Sequence, residues 1–373
     1  MPDLQKFEDH RRSIPKRNSI PIHYVRGTHY EVGYSMGRTF GQMIKEFIKD
    51  YTPLQEENLK LFMEPEGQII YEESLELTRK YFPQYIIELQ GIADGAQVSF
   101  EELFLMALDD TLPLNMNKNY VDKGAVGCTS LIINQPDGQY LGHTEDALAE
   151  TEDNYYIIAA HVMPGEDELN GVFQAREEKF EALAYAGHLP GYASGHNFHG
   201  VVFSINTIFV TKPLRGRIPR EFITRALLSS RADMSQIVEI LTNEGAGTAD
   251  AFNVNVAFVN VPKESRVFYS IEVIPSVSEF KSQVYPVEFI PGNNSLHANR
   301  LLHLKYPESK DIRSYESSIN RECRYQQLSK CKIPRKLNDV LEILGDEENG
   351  IFSIFRNQPN ELVKTIHLGK KYK

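Results

Sequence analysis

The chain of 373 residues carries a formal net charge of −11, with 41% hydrophobic and 24% charged residues, a globular balance that fits one large domain or two smaller ones. The acidic excess disfavours binding a nucleic-acid backbone, and no stretch is apolar enough to span a bilayer. Three cysteines, Cys128, Cys323 and Cys331, are too few for a disulfide framework and form no CxxC pair for a structural zinc.

Residues 1–20 are polar and without hydrophobic periodicity. They read as a loose lead-in with no secretory signal, so a cytoplasmic location is expected. Residues 21–26 read as a short strand punctuated by Gly27. From about Tyr30, the apolar residues Met36, Phe40, Met43, Ile44, Phe47, Ile48 and Tyr51 recur at steps of three and four, which places them on one helical face. A second helical stretch covers 71–95, and Ser99-Phe-Glu-Glu102 is a capping-box start for another.

The pattern changes at Gly127. Residues 129–134 and 140–143 read as paired strands around the turn Gln135-Pro-Asp-Gly-Gln139, with Gly138 expected at positive φ. Further strands are expected near 155–162, 182–186, 201–206, 253–261, 266–274 and 284–290. Helices are expected near 220–228, 234–241 and 337–344, and a terminal strand near 362–367. A helical block followed by many strands predicts two sheets with helices packed outside.

A free cysteine beside an apolar strand is usually a small core residue, but Cys128 has informative neighbours. Gly127 leaves the preceding carbonyl open to attack by the next residue's thiol. Cutting the 127–128 bond would place a free α-amine beside that thiol, with a pKa near roughly 8, so that one residue supplies nucleophile and base. His188, His196 and His199 cluster in a glycine-rich segment but fit no zinc signature, so no metal is expected. No phosphate-cradling glycine motif is present, and no cofactor is expected.

Residues 124–150, GAVGCTSLIINQPDGQYLGHTEDALAE, resemble the nucleophile hairpin of the N-terminal-nucleophile hydrolases, in the family of isopenicillin N acyltransferase and β-alanyl-dopamine (carcinine) hydrolase. RGTHYEVGYSMGRTFGQMI at 26–44 is similar to that family's G-x-x-x-E-x-G-x-x-x-G segment, and ELQGIADGAQVSFEEL at 88–103 to its E-x-x-G-x-A-x-G-A segment. HNFHGVVFSINTI (196–208), HANRLLH (297–303) and SINRECRYQQL (318–328) are similar to three later segments.

The resemblance implies an α+β, four-layer αββα sandwich. It also implies a precursor cut into an α chain, 1–127, and a β chain, 128–373, that stay folded together. Cys128 would be the nucleophile, Asp146 an active-site aspartate and Asn299 an oxyanion donor, with Asn206 and Glu272 in substrate-binding or supporting positions. The implied activity is hydrolysis of N-β-alanyl amines such as β-alanyl-dopamine and carcinine. Acyl transfer from a thioester donor to an amine is the alternative, and a non-catalytic protein of the same fold the bland one. The residues also have plain readings: Asp146 in a solvated acidic loop, Asn299 in a turn, Asn206 at a strand end, Glu272 facing solvent, Arg321 and Arg324 as surface helix charges. The return strand departs from the family pattern with Thr144 in place of an amide. The chain ends soon after 365–367, and a family arginine before the last strand has only Arg356 and Lys364 as approximate counterparts.

Overall fold

The structure, a computed structural model, describes residues 20–118, 126–356 and the backbone of 363–369. The expected lead-in lies outside the described residues, save Ser19's neighbour Ile20. After β1 (Ile22–Gly27), Thr28 caps the helix α1 (His29–Asp50). Its hydroxyl accepts from the Glu31 N–H at 3.3 Å, and the Glu31 carboxylate accepts from the Thr28 N–H at 2.8 Å. The helix expected over 71–95 is two helices, α2 (Pro65–Tyr81) and α3 (Pro83–Ala96). The break falls at Phe82 because Pro83 has no N–H and disfavours helical backbone in the residue before it. Ser99 forms its capping box with Glu102 at the head of α4 (Phe100–Met106).

The family-like glycines find their reason where α1 crosses α3. A Cβ on Gly33 would lie 2.0 Å from the Glu88 carbonyl oxygen, and one on Gly37 2.2 Å from that of Ile92. Reciprocally, a Cβ on Gly91 would meet the Tyr30 carbonyl oxygen at 2.4 Å, and one on Gly95 that of Tyr34 at 2.2 Å. The two backbones are in contact, which only glycine permits.

Eight strands form one sheet, in the order β1, β4 (Tyr155–Val162), β5 (Glu178–Tyr185), β6 (Ser194–Asn197), β7 (Val201–Ile208), β8 (Ala251–Phe258), β9 (Phe268–Pro275), β10 (Ser282–Phe289). A second sheet of four runs β11 (Asn294–His297), β2 (Gly127–Gln135), β3 (Gly138–Leu148), β12 (Val363–Gly369). The two four-residue strands, β6 and β11, are too short for alternation to register in the sequence. Gly138 is not at positive φ. It is glycine because a Cβ would lie 2.3 Å from the Tyr140 ring and 2.6 Å from the Arg335 carbonyl oxygen.

Three clusters fix the packing. α1 to α4, α5 (Arg220–Leu227) and α6 (Met234–Thr242) bury Phe47, Ile92 and Phe222 against Ile158, Ile205 and Val254 of the large sheet. Ile132 and Leu141 of the small sheet meet Val202, Ala257 and Phe268 of the large one. On the small sheet's other face, Leu131 and Ile133 pack on Val340, Ile343 and Leu344 of α8 (Leu337–Leu344), with Leu328 of α7 (Arg313–Cys331). The mixed α and β composition with helices outside two sheets agrees with the expected fold class. Within the helical side, Arg225 is fully buried between the Tyr85 and Phe180 rings, each 4.5 Å away. It pairs with Glu88 and Glu178 at 2.7 Å, and His29 bonds Glu88 at 2.7 Å.

Candidate active site

Alternation along β2 decides what the first residue after Gly127 faces. Ser130 and Ile132 point to the large sheet, so Cys128 does too, while Thr129 and Leu131 face α7 and α8. The Cys128 sulfur accordingly lies 3.3 Å from the Ile205 carbonyl oxygen on β7. Two amide groups donate to it: Asn299 Nδ2 at 3.2 Å and Asn206 Nδ2 at 3.4 Å. The Asn299 amide is held in this orientation because its Oδ1 accepts from the Cys128 N–H at 2.9 Å and from Arg321 at 2.8 Å, leaving Nδ2 for the sulfur and the Thr207 carbonyl. Gly127 is glycine for the same contact, since a Cβ there would lie 2.2 Å from Asn299 Oδ1. Burial, with the Glu145 carboxylate adding to it, pushes the Cys128 thiol up to about 12, against the Asn299 amide, the Thr207 backbone and Arg321.

Asn206 and Asn299 thus converge on Cys128, and neither sits in a plain turn or strand cap. Asn206 also donates to the Cys128 carbonyl at 3.3 Å and accepts from Asn255 at 2.8 Å. Asp146 is buried, not in a solvated loop, but it occupies the opposite face of β3 from the thiol. There it lies 3.5 Å from Arg321 and 3.4 Å from Arg356. Glu272 is neither solvent-facing nor a wall of the cavity at Cys128. It is buried and accepts from the N–H groups of Leu302, His303 and Leu304 at 2.5 to 3.1 Å, so it clamps the loop that follows Asn299. Burial raises its carboxyl, but His297 and these backbone donors outweigh that and leave it lowered.

Arg321 corrects the surface reading most sharply. It is 0% exposed and donates to the Cys128 carbonyl at 2.7 Å and to Thr129 Oγ1 at 2.8 Å. Burial lowers its guanidinium to about 10, with Asp146 opposing. Its signal in the sequence was the stripe Ser314, Ser317, Ser318, Arg321, one polar face of α7 with small hydroxyls where a solvated helix would carry long charges. Arg324 is half-buried and bonds Asp346 at 2.7 Å. Of the two approximate candidates for the family arginine, Arg356 is buried and lies 3.4 Å from Asp146, and Lys364 lies on β12 opposite Ala147.

The three glycine-segment histidines scatter. His188 is buried on Glu221 at 3.0 Å, His196 faces Glu181 at 3.5 Å, and His199 is exposed. Burial pushes His188 down, but Glu221 outweighs it and the net direction is up. Among the described residues, the group that could hold a metal ion is a different one: Cys128, His143 and Glu145, whose ligand atoms all lie within 4.8 Å of one another. His143 Nε2 and Glu145 Oε1 are 2.5 Å apart, His143 Nδ1 bonds Ser130 Oγ at 2.9 Å, and the Tyr185 hydroxyl donates to Glu145 at 2.8 Å.

A cavity of about 120 Å³ opens at Cys128. Phe47, Tyr51, Tyr185 and Tyr192 supply aromatic walls. Among the described residues, the carboxylates of Asp109, Asp110 and Glu145 line it with one arginine, Arg220; Asp146 borders it as well, but its carboxylate turns to the other face of β3, towards Arg321 and Arg356. Arg220 is itself paired with Asp110 at 2.9 Å and with Asp250. Tyr51 donates to Asp109 at 2.5 Å.

A buried thiol ringed by amide donors, at the mouth of a small acidic cavity between two sheets, defines a site suited to thiol-dependent acyl chemistry. Residues 133–371 match the family model described as acyl-coenzyme A:6-aminopenicillanic acid acyl-transferase. The chain is 41% identical over 360 residues to the β-alanyl-dopamine/carcinine hydrolase of Drosophila melanogaster, covering 95% of this chain and 91% of that protein. It belongs to this acyltransferase family and is an enzyme rather than a scaffold. Among the described residues, no helix is long and apolar enough to cross a membrane.

Proposed function

We propose that the chain is a self-processing cysteine amidohydrolase that splits N-β-alanyl biogenic amines, β-alanyl-dopamine and carcinine among them, into β-alanine and the amine. The observation that carries this reading is the setting of the Cys128 sulfur, with two side-chain amides donating to it and a carboxylate-rich cavity in front of it. The packing of helices, large sheet, small sheet and helices is read as the four-layer αββα sandwich, and a cytoplasmic location goes with it.

In this reading the bond between Gly127 and Cys128 is cut, and chains 1–127 and 128–373 remain together as a heterodimer. The freed α-amine of Cys128 takes the thiol proton. The thiolate attacks the substrate carbonyl, and the Asn299 and Asn206 amides, already aimed at the sulfur, steady the oxyanion as it forms beside it. The protonated amine leaves, a thioester remains on Cys128, and water releases the acid. Asp146 acts from behind the strand by holding Arg321, which in turn fixes the Cys128 carbonyl and the Asn299 amide.

The carboxylates of the cavity support an acyl group with a cationic end, and the aromatic walls support an ammonium in van der Waals contact with ring faces. The family description names a second outcome for the same thioester, transfer to an acceptor amine. Purified protein incubated with β-alanyl-dopamine should release dopamine, and Cys128→Ala should release none; equal release from both sinks the hydrolase reading. Adding a second amine separates hydrolysis from transfer by the appearance of its β-alanyl adduct. N-terminal sequencing should find Cys-Thr-Ser-Leu at the head of one fragment.

A further inference from the structure

The self-cleavage reading leaves one proton without a carrier. In the mature enzyme the α-amine of Cys128 accepts the thiol proton, but in the uncut chain that nitrogen is an amide whose N–H is given to Asn299 Oδ1 at 2.9 Å. It has no basic lone pair. The thiol is also buried, 3% exposed, away from solvent that could take its proton. Some other group has to prime it.

Most neighbours of the sulfur cannot. Asn206 and Asn299 present N–H donors to it, and the Ile205 carbonyl is not a base at neutral pH. Arg321 is a cation, and Asp146 lies behind the sheet between two arginines. On the sulfur's own face, Glu145 stands directly opposite Cys128 in the β2–β3 register, and His143 stands opposite Ser130. Cys128 Sγ, a His143 ring nitrogen and a Glu145 oxygen all lie within 4.8 Å of one another, a span closed by a small carboxylate rotation or by one water.

Resting on the self-cleavage reading, we infer that Glu145, positioned by His143, is the base that activates the Cys128 thiol in the uncut chain. The Glu145 carboxylate takes the S–H proton, and the thiolate attacks the Gly127 carbonyl carbon to form a C–S bond. The Gly127–Cys128 C–N bond then breaks, and the leaving nitrogen receives the proton back from the Glu145 carboxyl. One water hydrolyses the resulting thioester to the Gly127 carboxylate and the free thiol, and Glu145 ends as it began. The carboxylate is braced for this: His143 holds one oxygen and Tyr185 the other, while Ser130 fixes the far side of the imidazole. The bracing runs on through Ser204 and Asn255 to Asn206, which returns to the sulfur. Once the α-amine exists it takes over, so Glu145 is needed once per molecule.

The test follows the appearance of the two fragments with time, by intact mass, in freshly purified full-length protein. Glu145→Gln should accumulate uncut chain, with cutting slowed roughly 10²-fold. His143→Gln should slow it less, and Glu145→Asp should restore part of the rate. Added formate should rescue Glu145→Ala, which a merely structural carboxylate would not allow. Cutting at the wild-type rate in a Glu145→Gln protein that melts like the Cys128→Ala precursor overturns the inference. If Glu145→Gln fails to fold, His143→Gln and Glu145→Asp decide it in the same way, full-speed cutting in both being the overturning result. A wild-type chain that never cuts, or a Cys128→Ala chain that does, defeats the self-cleavage reading instead.

Discussion

At the scale of single residues, the Asn299 amide does two opposed things at once. Its oxygen takes the Cys128 N–H and an Arg321 donor, and its nitrogen gives to the sulfur. Asn299→Asp keeps the acceptor and deletes the donor, placing a second negative charge beside a forming oxyanion. Activity should fall about 10²–10³-fold, as for loss of one oxyanion donor, and steady-state amine release will measure it; unchanged turnover would remove Asn299 from the mechanism. Arg321→Met has a different signature. It strips Asn299 Oδ1, the Cys128 carbonyl and Asp146 of a donor together, and breaking a buried pair typically costs about 3–5 kcal/mol. Denaturant unfolding should therefore move along with activity, whereas Asn299→Asp should leave the unfolding midpoint nearly in place. Cys128, Asn299, Asn206 and Asp146 were legible because a chemical type stood in a recognisable order along the chain. Arg321 was not, and Glu272 was legible as a supporting carboxylate without its place, because burial of a charge depends on which helix covers which sheet face, and an isolated segment carries no record of that. His143 and Glu145 lay between these cases. The hairpin was legible, and counting its register by twos would have put both on the thiol's face.

At the scale of elements, the crossing of α1 and α3 makes a sharp demand. Gly91→Ala would drive a methyl into the Tyr30 carbonyl 2.4 Å away. The helices must separate, at a cost of about 3 kcal/mol or more, and the melting temperature should drop by several degrees. An unshifted melt would mean the backbones are not in contact. The same crossing brings Glu88 to Arg225. Burial alone would raise the Glu88 carboxyl, but Arg225 and His29 outweigh it and hold it at about 2, well below the usual carboxylate range. A carboxyl depressed on folding stabilises fully above its unfolded value and loses that contribution as pH falls through its folded one. Stability should decline from about pH 4.5 towards pH 2, and Glu88→Gln, already weaker at neutral pH, should flatten that decline in acid-unfolding curves. Equal slopes in the two proteins would assign the decline to other groups. Periodicity disclosed α1, because a one-sided apolar stripe is a local property. The Phe82 break needed the proline rule, and the glycine spacing made sense only once both helices were seen together.

At the scale of the whole molecule, the cavity is assembled from both sides of the proposed cut. Phe47, Tyr51, Asp109 and Asp110 come from the N-terminal part, and Cys128, Glu145, Tyr185, Tyr192 and Arg220 from the rest. If the chain is cut there as proposed, Cys128 and its amides belong to one fragment and much of the cavity wall to the other. Two of the carboxylates are committed elsewhere, Asp110 to Arg220 and Asp146 to Arg321 and Arg356. Asp109 accepts from the Tyr51 hydroxyl at the aromatic wall, and we propose it as the group that meets a β-alanyl ammonium. A butyryl amide of the same amine has the same chain length and no charge, so the ratio of kcat/KM for the two substrates isolates the charge term. In the wild type the ratio should favour β-alanyl strongly. Asp109→Asn keeps the shape and the Tyr51 contact while removing the charge, and an ion pair in a partly buried site is worth about 1.5–3 kcal/mol as a charged hydrogen bond. The ratio should fall by roughly 10- to 10²-fold, with butyryl turnover little changed. If both substrates slow together, Asp109 is holding the cavity's shape. If the ratio stands still, the ammonium is met by Glu145 instead, and the acyl specificity belongs to the chain that carries the thiol.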